Sequence, residues 1–319
     1  MSLHEYHVNE FAIESDFALP YDAGLRSPCA PRDTVTLRRA SLAHIPSTLR
    51  QVRRQLVYDV GNGFLIEPNG LALHIDLKGR VLTVDCADEK LSAAAAWAFH
   101  AGLGAATVTR GGVPLHGAGL EVAGQYVALM ASSGSGKSTL SWHLLQHGAR
   151  FGNDDLIPAY LTDNGILAYP SVSMFPKLQR EAVDRHGLDY SALMPADYGT
   201  EEEEYYAPMP AACRISALAP LAAAFLLRPQ PPGTDGLRSV EPSADRVAVR
   251  RLPEDEAAAT FQANLHALWL IGKWVDDRRI RALCHNLAAR VPLFELTYPK
   301  TYALLPVLSD TITRLTEAL

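Results

Sequence analysis

The sequence predicts an α/β protein in which a smaller β-rich N-terminal region precedes a nucleotide-binding catalytic domain. Three observations predict it. Short runs rich in Val, Ile and Leu, separated by glycine turns, fill residues 55–86. An apolar strand, "YVALM", runs into a glycine–serine loop that opens a helix. Beyond that loop, the later chain carries two successive helical patterns, a strand pattern and a closing helix. We divide the chain into residues 1–105, a β-rich region suited to recruiting a substrate, and 106–319, the catalytic domain. No Gly/Ser- or Pro-rich spacer separates the two.

Composition narrows the function. At 319 residues, 48% hydrophobic and 20% charged, the chain can bury a sizeable core. A formal charge of -6 lacks the basic footprint of a nucleic-acid binder, so no nucleic-acid partner is expected. The four cysteines (Cys29, Cys86, Cys213, Cys284) are scattered without CxxC or metal-ligand spacing, which points to a reducing compartment. The stretch "MSLHEYHVNEFAIESDF" has no apolar core preceded by basic residues and is not an ordinary signal peptide. The longest apolar run, "LSAAAAWAFHAGLGAATV", is interrupted by His100 and weak for a membrane span. A cytoplasmic protein with no membrane association is the expectation.

The elements follow in order. Residues 1 to about 50, punctuated by Pro20, Pro28, Pro31 and Pro46, read as irregular. "QLVYDV", "GFLIEP", "LALHIDL" and "RVLTVDC" form an antiparallel meander over 55–86 with tight turns at 61–63, 69–70 and 78–79. Residues 88–106 form a helix that Asp88 can cap, with Leu91, Ala94, Ala95 and Ala98 along one face. "VPLHGAGLEV" and "QYVALMA" are two strands joined near Gly124. The segment 195–211, with glutamates at 201–204 beside Tyr205 and Tyr206, reads as a solvated loop; a lid, or a contact for a basic partner, are the alternatives. "DEAAATFQANLHALWLIG" and "DDRRIRALCHNLAARV" are helical, "VPLFEL" is a strand, and "LSDTITRLTEAL" closes the chain as a helix.

The loop itself reads Ala131-Ser132-Ser133-Gly134-Ser135-Gly136-Lys137-Ser138, a phosphate-loop pattern with alanine for the first glycine. That alanine fits if the position has negative φ. Gly134 and Gly136 permit the turn that points backbone N–H groups of Ser132, Ser133, Ser135 and their neighbours through Thr139 at a phosphate chain. Lys137 reaches the β- and γ-phosphates of ATP, and the Ser138 hydroxyl ligates Mg²⁺. An acid pair, Asp154-Asp155, follows 17 and 18 residues past that lysine. A helix from 138 to 147 descends about 15 Å. The six residues from Gly148 to Asp154 climb about 20 Å when extended. The acids therefore return to phosphate level, one for the metal and one to take a proton from an attacking hydroxyl.

These residues resemble the HPr kinase/phosphorylase family, whose catalytic domain is related in fold to phosphoenolpyruvate carboxykinase. Three features carry the resemblance: Ser133-Gly134-Ser135-Gly136-Lys137-Ser138 after a strand, Asp154-Asp155 beyond a leucine-bearing helix and a glycine, and His116-Gly117 on the preceding strand. The resemblance implies ATP and Mg²⁺ as cofactors, with Asp155 as general base and Asp154 beside the metal, the two roles being exchangeable. His116 would support charge or orient the acid pair. The family also carries a Glu-Ile-Arg-Gly segment that supplies a metal-binding glutamate. The corresponding stretch here is "YPSVSMFPKLQREAV", where Lys177 could replace a charge contact. HPr as substrate and reverse phosphorolysis are therefore not carried over. The chain is more similar to divergent HPr-kinase-related proteins that accompany peptide-modification systems.

The function expected is an ATP- and Mg²⁺-dependent kinase acting on a serine or threonine hydroxyl of a protein or precursor peptide. HPr kinases assemble as homo-oligomers, which the resemblance extends to this chain. Two other readings use the same residues: a small-molecule hydroxyl kinase, and a non-catalytic ATP-binding regulatory protein, which Ala131 and the missing glutamate favour.

Overall fold

The computed structural model describes residues 3–19, 30–43, 45, 48–52, 55–68, 70–132, 134–163, 165–171, 175–196, 203–215, 217–230, 246–272 and 275–319. Eight strands come first: β1 (His4–Val8), β2 (Phe11–Ser15), β3 (Asp33–Arg39), β4 (Thr48–Val52), β5 (Gln55–Asp59), β6 (Gly63–Ile66), β7 (Ala72–Asp76) and β8 (Val81–Asp85). They form one sheet in the order β1-β2-β3-β8-β7-β6-β5-β4. The expected meander is β5 to β8, antiparallel throughout.

The first 50 residues, expected to be irregular, instead supply four strands. Their prolines lie between strands rather than in them, and β1 and β2 are too short for alternation to stand out. The hairpin nonetheless buries Tyr6, Val8, Phe11 and Ile13 on one face. Strand β3 runs parallel to both β2 and β8, so the sheet is mixed.

A continuous helical rod over Asp88–Thr109 packs on this sheet. It comprises α1 (Leu91–Trp97), a π-helical turn at Ala98–Gly102, and α2 (Leu103–Thr109). Asp88 does not cap it. The capping position is Ala87, which has no side chain to bond, and Asp88 pairs with Arg39 at 2.6 Å. Alanines from Ala93 to Ala106 meet Phe64, Leu73 and Leu82 of the sheet. The rod is long and apolar enough to cross a membrane, yet 78% of its most apolar window is buried inside the protein.

The second sheet uses β9 (Val113–His116), β10 (Ala118–Val122), β11 (Gln125–Ala131), β12 (Arg150–Asn153), β13 (Leu156–Thr162), β14 (Gly165–Ala168), β18 (Ala219–Gln230), β19 (Ala248–Arg251) and β20 (Leu293–Pro299). Its order is β12-β10-β11-β18-β14-β13-β9, with β20 also on β18 and β19 on β20. The single strand expected over "VPLHGAGLEV" is two strands that break at Gly117. Strand β9 pairs with β13, whereas β10 pairs with β11 and β12.

Strand β11 shows why the sheet lies between helical layers. Tyr126, Ala128 and Met130 face one core, with α5 (Glu254–Ala263) and α7 (Asp277–Ala288). Val127, Leu129 and Ala131 face the other, with α3 (Lys137–Gln146) and α8 (Leu305–Glu317). Period-two alternation on a strand buried on both sides makes the sequence apolar throughout. The remaining elements are a small sheet of β15 (Lys177–Gln179), β16 (Met194–Pro195) and β17 (Glu204–Tyr206), the helix α4 (Arg180–His186) beside it, and the short α6 (Leu268–Ile271).

A buried carboxyl joins the two large sheets. Glu10, in the β1–β2 turn, accepts hydrogen bonds from Thr107 Oγ1 at 2.7 Å and from the Tyr160 hydroxyl of β13 at 2.8 Å. The Arg32 guanidinium lies 4.0 Å over the Tyr160 ring. Burial raises the Glu10 pKa from 4.5 to about 7, against the two hydrogen bonds and the more distant Arg110. Between those values the folded chain holds a proton that the unfolded chain has released, so stability falls as pH rises through the window. It is level above it. Glu10→Gln removes this dependence. Relative to the parent chain, the variant gains up to about 3 kcal/mol between pH 4.5 and pH 8, as urea unfolding at the two pH values will read. An unchanged difference between them would mean that Glu10 ionises normally in the fold.

Candidate functional site

The loop between β11 and α3 has the backbone its glycines foretell. Gly134 and Gly136 take φ of +75° and +89°, where an L side chain is strained although a Cβ would meet nothing within 4 Å. Ala131 is the last residue of β11 and is buried, so alanine in place of the first glycine costs nothing sterically. Lys137 is the first helical residue of α3, which aims that helix's N-terminus into the loop. Two residues of the following chain brace it: Lys300 Nζ donates to the Gly134 carbonyl at 2.6 Å, and the Tyr298 hydroxyl to that of Ser135 at 3.4 Å. Ser133 lies outside the described residues.

Helix α3 ends at Gln146, Gly148 takes φ of +97°, and β12 carries the chain back antiparallel to β10. The acid pair arrives where chain dimensions put it. Lys137 Nζ lies 3.1 Å from Asp154 Oδ1 and 3.6 Å from Asp155 Oδ1. Asp154 is buried behind the lysine: Oδ1 also accepts from the Asp155 N–H at 3.0 Å, and Oδ2 from the Lys177 N–H at 2.8 Å. Asp155 is the member that faces the cavity.

The turn presenting Asp155 is strained. The Leu156 N–H donates to the Asp154 carbonyl at 2.8 Å across a residue with φ of +62°, a γ-turn of the disfavoured hand. The surroundings hold it there. Beneath it, the buried Asn153 donates to the carbonyls of Leu156 at 3.1 Å and Tyr169 at 3.0 Å, and accepts from the Tyr126 hydroxyl. The Gly117 N–H donates to the Asp155 carbonyl at 3.3 Å, and the His266 ring bonds the same backbone.

Charge converges on this turn. Lys177 Nζ sits 2.9 Å from Asp155 Oδ2 and 3.1 Å from Glu204 Oε2. Burial alone would raise the Asp155 pKa, but Lys177, Lys137 and the His116 ring hold it well below the usual carboxylate range. Burial also opposes the charge on Lys137 and Lys177, and the carboxylates around them raise both pKa values regardless. His116 Nε2 lies 3.8 Å from Asp155 Oδ1. Behind it, His266 and His100 continue a row of imidazoles, with ring centroids 5.7 Å and 5.5 Å apart along the row. Burial lowers them to about 3 and about 4, so both are neutral near pH 7.

The structure thus brings Ser132, Gly134, Ser135, Gly136, Lys137, Ser138, Thr139, His116 and Asp155 around one cavity of about 660 Å³, with Lys177 on the wall and Asp154 behind it. Glu204 corrects one expectation. It is not in a solvated loop but lies in β17 and pairs with Lys177. Residues 201 and 202 of the same run lie outside the described residues. His266, His100, Tyr298 and Lys300 gave no signal in the sequence, because each is a lone residue on a distant segment. His266 is placed by backbone pairing with β9, through its N–H to the Pro114 carbonyl at 2.8 Å and the His116 N–H to the Asn264 carbonyl at 2.8 Å.

The donor set suits a triphosphate with its metal. Mg²⁺ uses one or two carboxylates together with substrate phosphates rather than a full protein cage. Among the described residues no group of three His, Cys, Asp or Glu side chains could hold a metal ion by itself. No protein-family model matches the chain, and no curated protein matches it. Among solved structures, the Hpr(Ser) kinase/phosphatase from Coxiella burnetii is similar, at 14% identity and a TM-score of 0.34, over 64% of this chain and 90% of that one. A likeness of that size transfers neither fold nor activity, so function has to be read from this chain's own residues.

The ion network makes a stability test. Lys177→Met leaves Asp155 and Glu204 each without its nearest cation and costs about 3 kcal/mol at pH 7 in urea unfolding. Because the Asp155 pKa is depressed, the cost is full above the ordinary aspartate pKa of 3.8 and declines as pH falls below it.

Proposed function

We propose that this protein is a kinase that transfers the terminal phosphoryl group of ATP to a serine or threonine hydroxyl of a protein or peptide. The observation that carries the reading is the placement of Asp155, held ionised on the cavity wall within 3.6 Å of Lys137 at the loop–helix junction. Backbone N–H groups of the loop and the N-terminus of α3 favour the phosphates. Lys137 leaves the acid pair for the phosphate oxygens, where its charge follows the transferring group. That movement strips Asp154 Oδ1 of its ammonium partner, and Asp154 with Ser138 would then be the residues to hold Mg²⁺ beside the phosphates. The metal supplies charge compensation on the phosphates.

Asp155 keeps Lys177 as its partner and orients the acceptor hydroxyl. A carboxylate of such low pKa is a weak base, so it accepts the proton late, as the oxygen–phosphorus bond forms. His116 stands 3.8 Å away as a second polar group on the acceptor side. The neutral His266 and His100 add no cation that would compete for the phosphates.

The test is phosphoryl transfer from ATP to a panel of serine- and threonine-bearing peptides, followed by mass spectrometry. Asp155→Asn lowers transfer by about 10²–10⁴-fold while ATP binding persists, and Lys137→Ala weakens ATP binding itself. Transfer to free sugars or amino acids but to no peptide would favour a small-molecule kinase. Tight ATP binding with no acceptor phosphorylated would favour a regulatory nucleotide sensor.

A further inference from the structure

The cavity has a second end that phosphoryl transfer does not use. Its lining includes Glu181 and Ala182 of α4 and the segment from Tyr298 into α8. Ala182, Tyr302, Leu305 and Leu308 give that end its apolar and aromatic surface, among the polar Gln179, Glu181, Lys300 and Thr301. It is bridged at one point, where the Tyr302 hydroxyl donates to Glu181 Oε1 at 2.8 Å. The Arg185 guanidinium lies 3.9 Å from the Tyr302 ring centroid and covers one face of it.

Two contacts set a direction: Lys137 ties one side of the loop to Asp155 at 3.6 Å, and Lys300, two residues before Tyr302, holds the Gly134 carbonyl at 2.6 Å. A triphosphate on the loop with its terminal group toward Asp155 has its other end free to run toward Tyr302. What lies there is suited to a flat heterocycle: aliphatic side chains, an aromatic ring stiffened by a cation on one face, and a carboxylate that only accepts hydrogen bonds. A cavity of about 660 Å³ is of the size that holds a whole small ligand rather than a phosphate chain alone.

We propose that this end is a purine-base site, in which Tyr302 is the stacking platform and Glu181 accepts a hydrogen bond from an exocyclic amine of the base. The inference rests on the phosphate-binding reading of the loop. Base stacking on an aromatic side chain is worth about tenfold to hundredfold in affinity. The Tyr302–Glu181 bond ties α4 to the start of α8, so base entry and the packing of these helices over the loop are linked.

The experiment is calorimetric titration of the full chain with ATP and, separately, with inorganic tripolyphosphate, both with Mg²⁺. ATP binds at least tenfold tighter than tripolyphosphate. Tyr302→Ala erases that ratio and leaves tripolyphosphate affinity unchanged, which also shows that the variant is folded. Tyr302→Phe, which keeps the ring and loses the Glu181 bond, retains the ratio. Glu181→Ala narrows the preference for ATP over purine riboside triphosphate, which lacks the amine. Equal affinity of the parent chain for ATP and tripolyphosphate, or a ratio that survives Tyr302→Ala, overturns the base site while the phosphate site stands. Failure of the parent chain to bind either ligand, or tripolyphosphate binding indifferent to Lys137→Ala, overturns both.

Discussion

Two lysines set among three carboxylates hold the cavity end of this molecule together. Lys137 comes from the start of α3 and Lys177 from β15, while Asp154 and Asp155 come from between β12 and β13, and Glu204 from β17. None of the five side chains is more than 18% exposed, so each charge depends on its neighbours for the solvation it has lost. The three acids exceed the two bases by one. The cluster is therefore one positive charge short of balance.

The rest of the fold serves the strained turn at Asp155. Breaking the strand at Gly117 lets β9 pair with β13 on one side of the acids and β10 pair with β12 on the other. The turn is thereby clamped between two separate strand pairings. Asn153 and Tyr126 fix it from below, and His266 from the side. Behind His266 stands the helical rod of the N-terminal part, whose π-helical turn contains His100 and whose Gly104 leaves room for the His266 ring. Glu10 makes a second junction, tying the first sheet to Thr107 of that rod and to Tyr160 of β13. The strand that begins at the acid pair is therefore seated on the N-terminal part along its length.

Much of the site was legible because its residues are close in sequence and their geometry is set by chain dimensions. A helix of known rise and a return strand of known reach suffice to bring Asp154 and Asp155 back to Lys137. Lys177 was discernible only as a cation in the right stretch. Glu204 was misread because four glutamates in a row look like solvated surface, and only the pairing of β17 with β15 singles out the last of them. The three-stranded N-terminal edge was hidden by prolines that fall between its strands in the sequence, and by the five-residue length of β1 and β2. His266 and His100 could not have been found, since nothing local distinguishes a histidine brought in by tertiary packing from one on a surface.

The glycines around the site fall into two kinds, and the difference governs how the sequence can drift. At Gly134 and Gly136 a β-carbon has open space around it and is opposed only by the sign of φ. No neighbour can change to accommodate a replacement, so each of these positions is fixed independently of its surroundings. At Gly119 and Gly152 φ is ordinary, and the obstacle is the Tyr126 ring, whose hydroxyl would lie 1.9 Å from a β-carbon at Gly119. A larger residue at 119 becomes tolerable only when 126 shrinks, and a smaller 126 gives up the hydroxyl that holds Asn153. Positions 119, 126 and 153 are therefore bound to change together, as a covarying set under the acid pair, while the loop glycines stay constant alone.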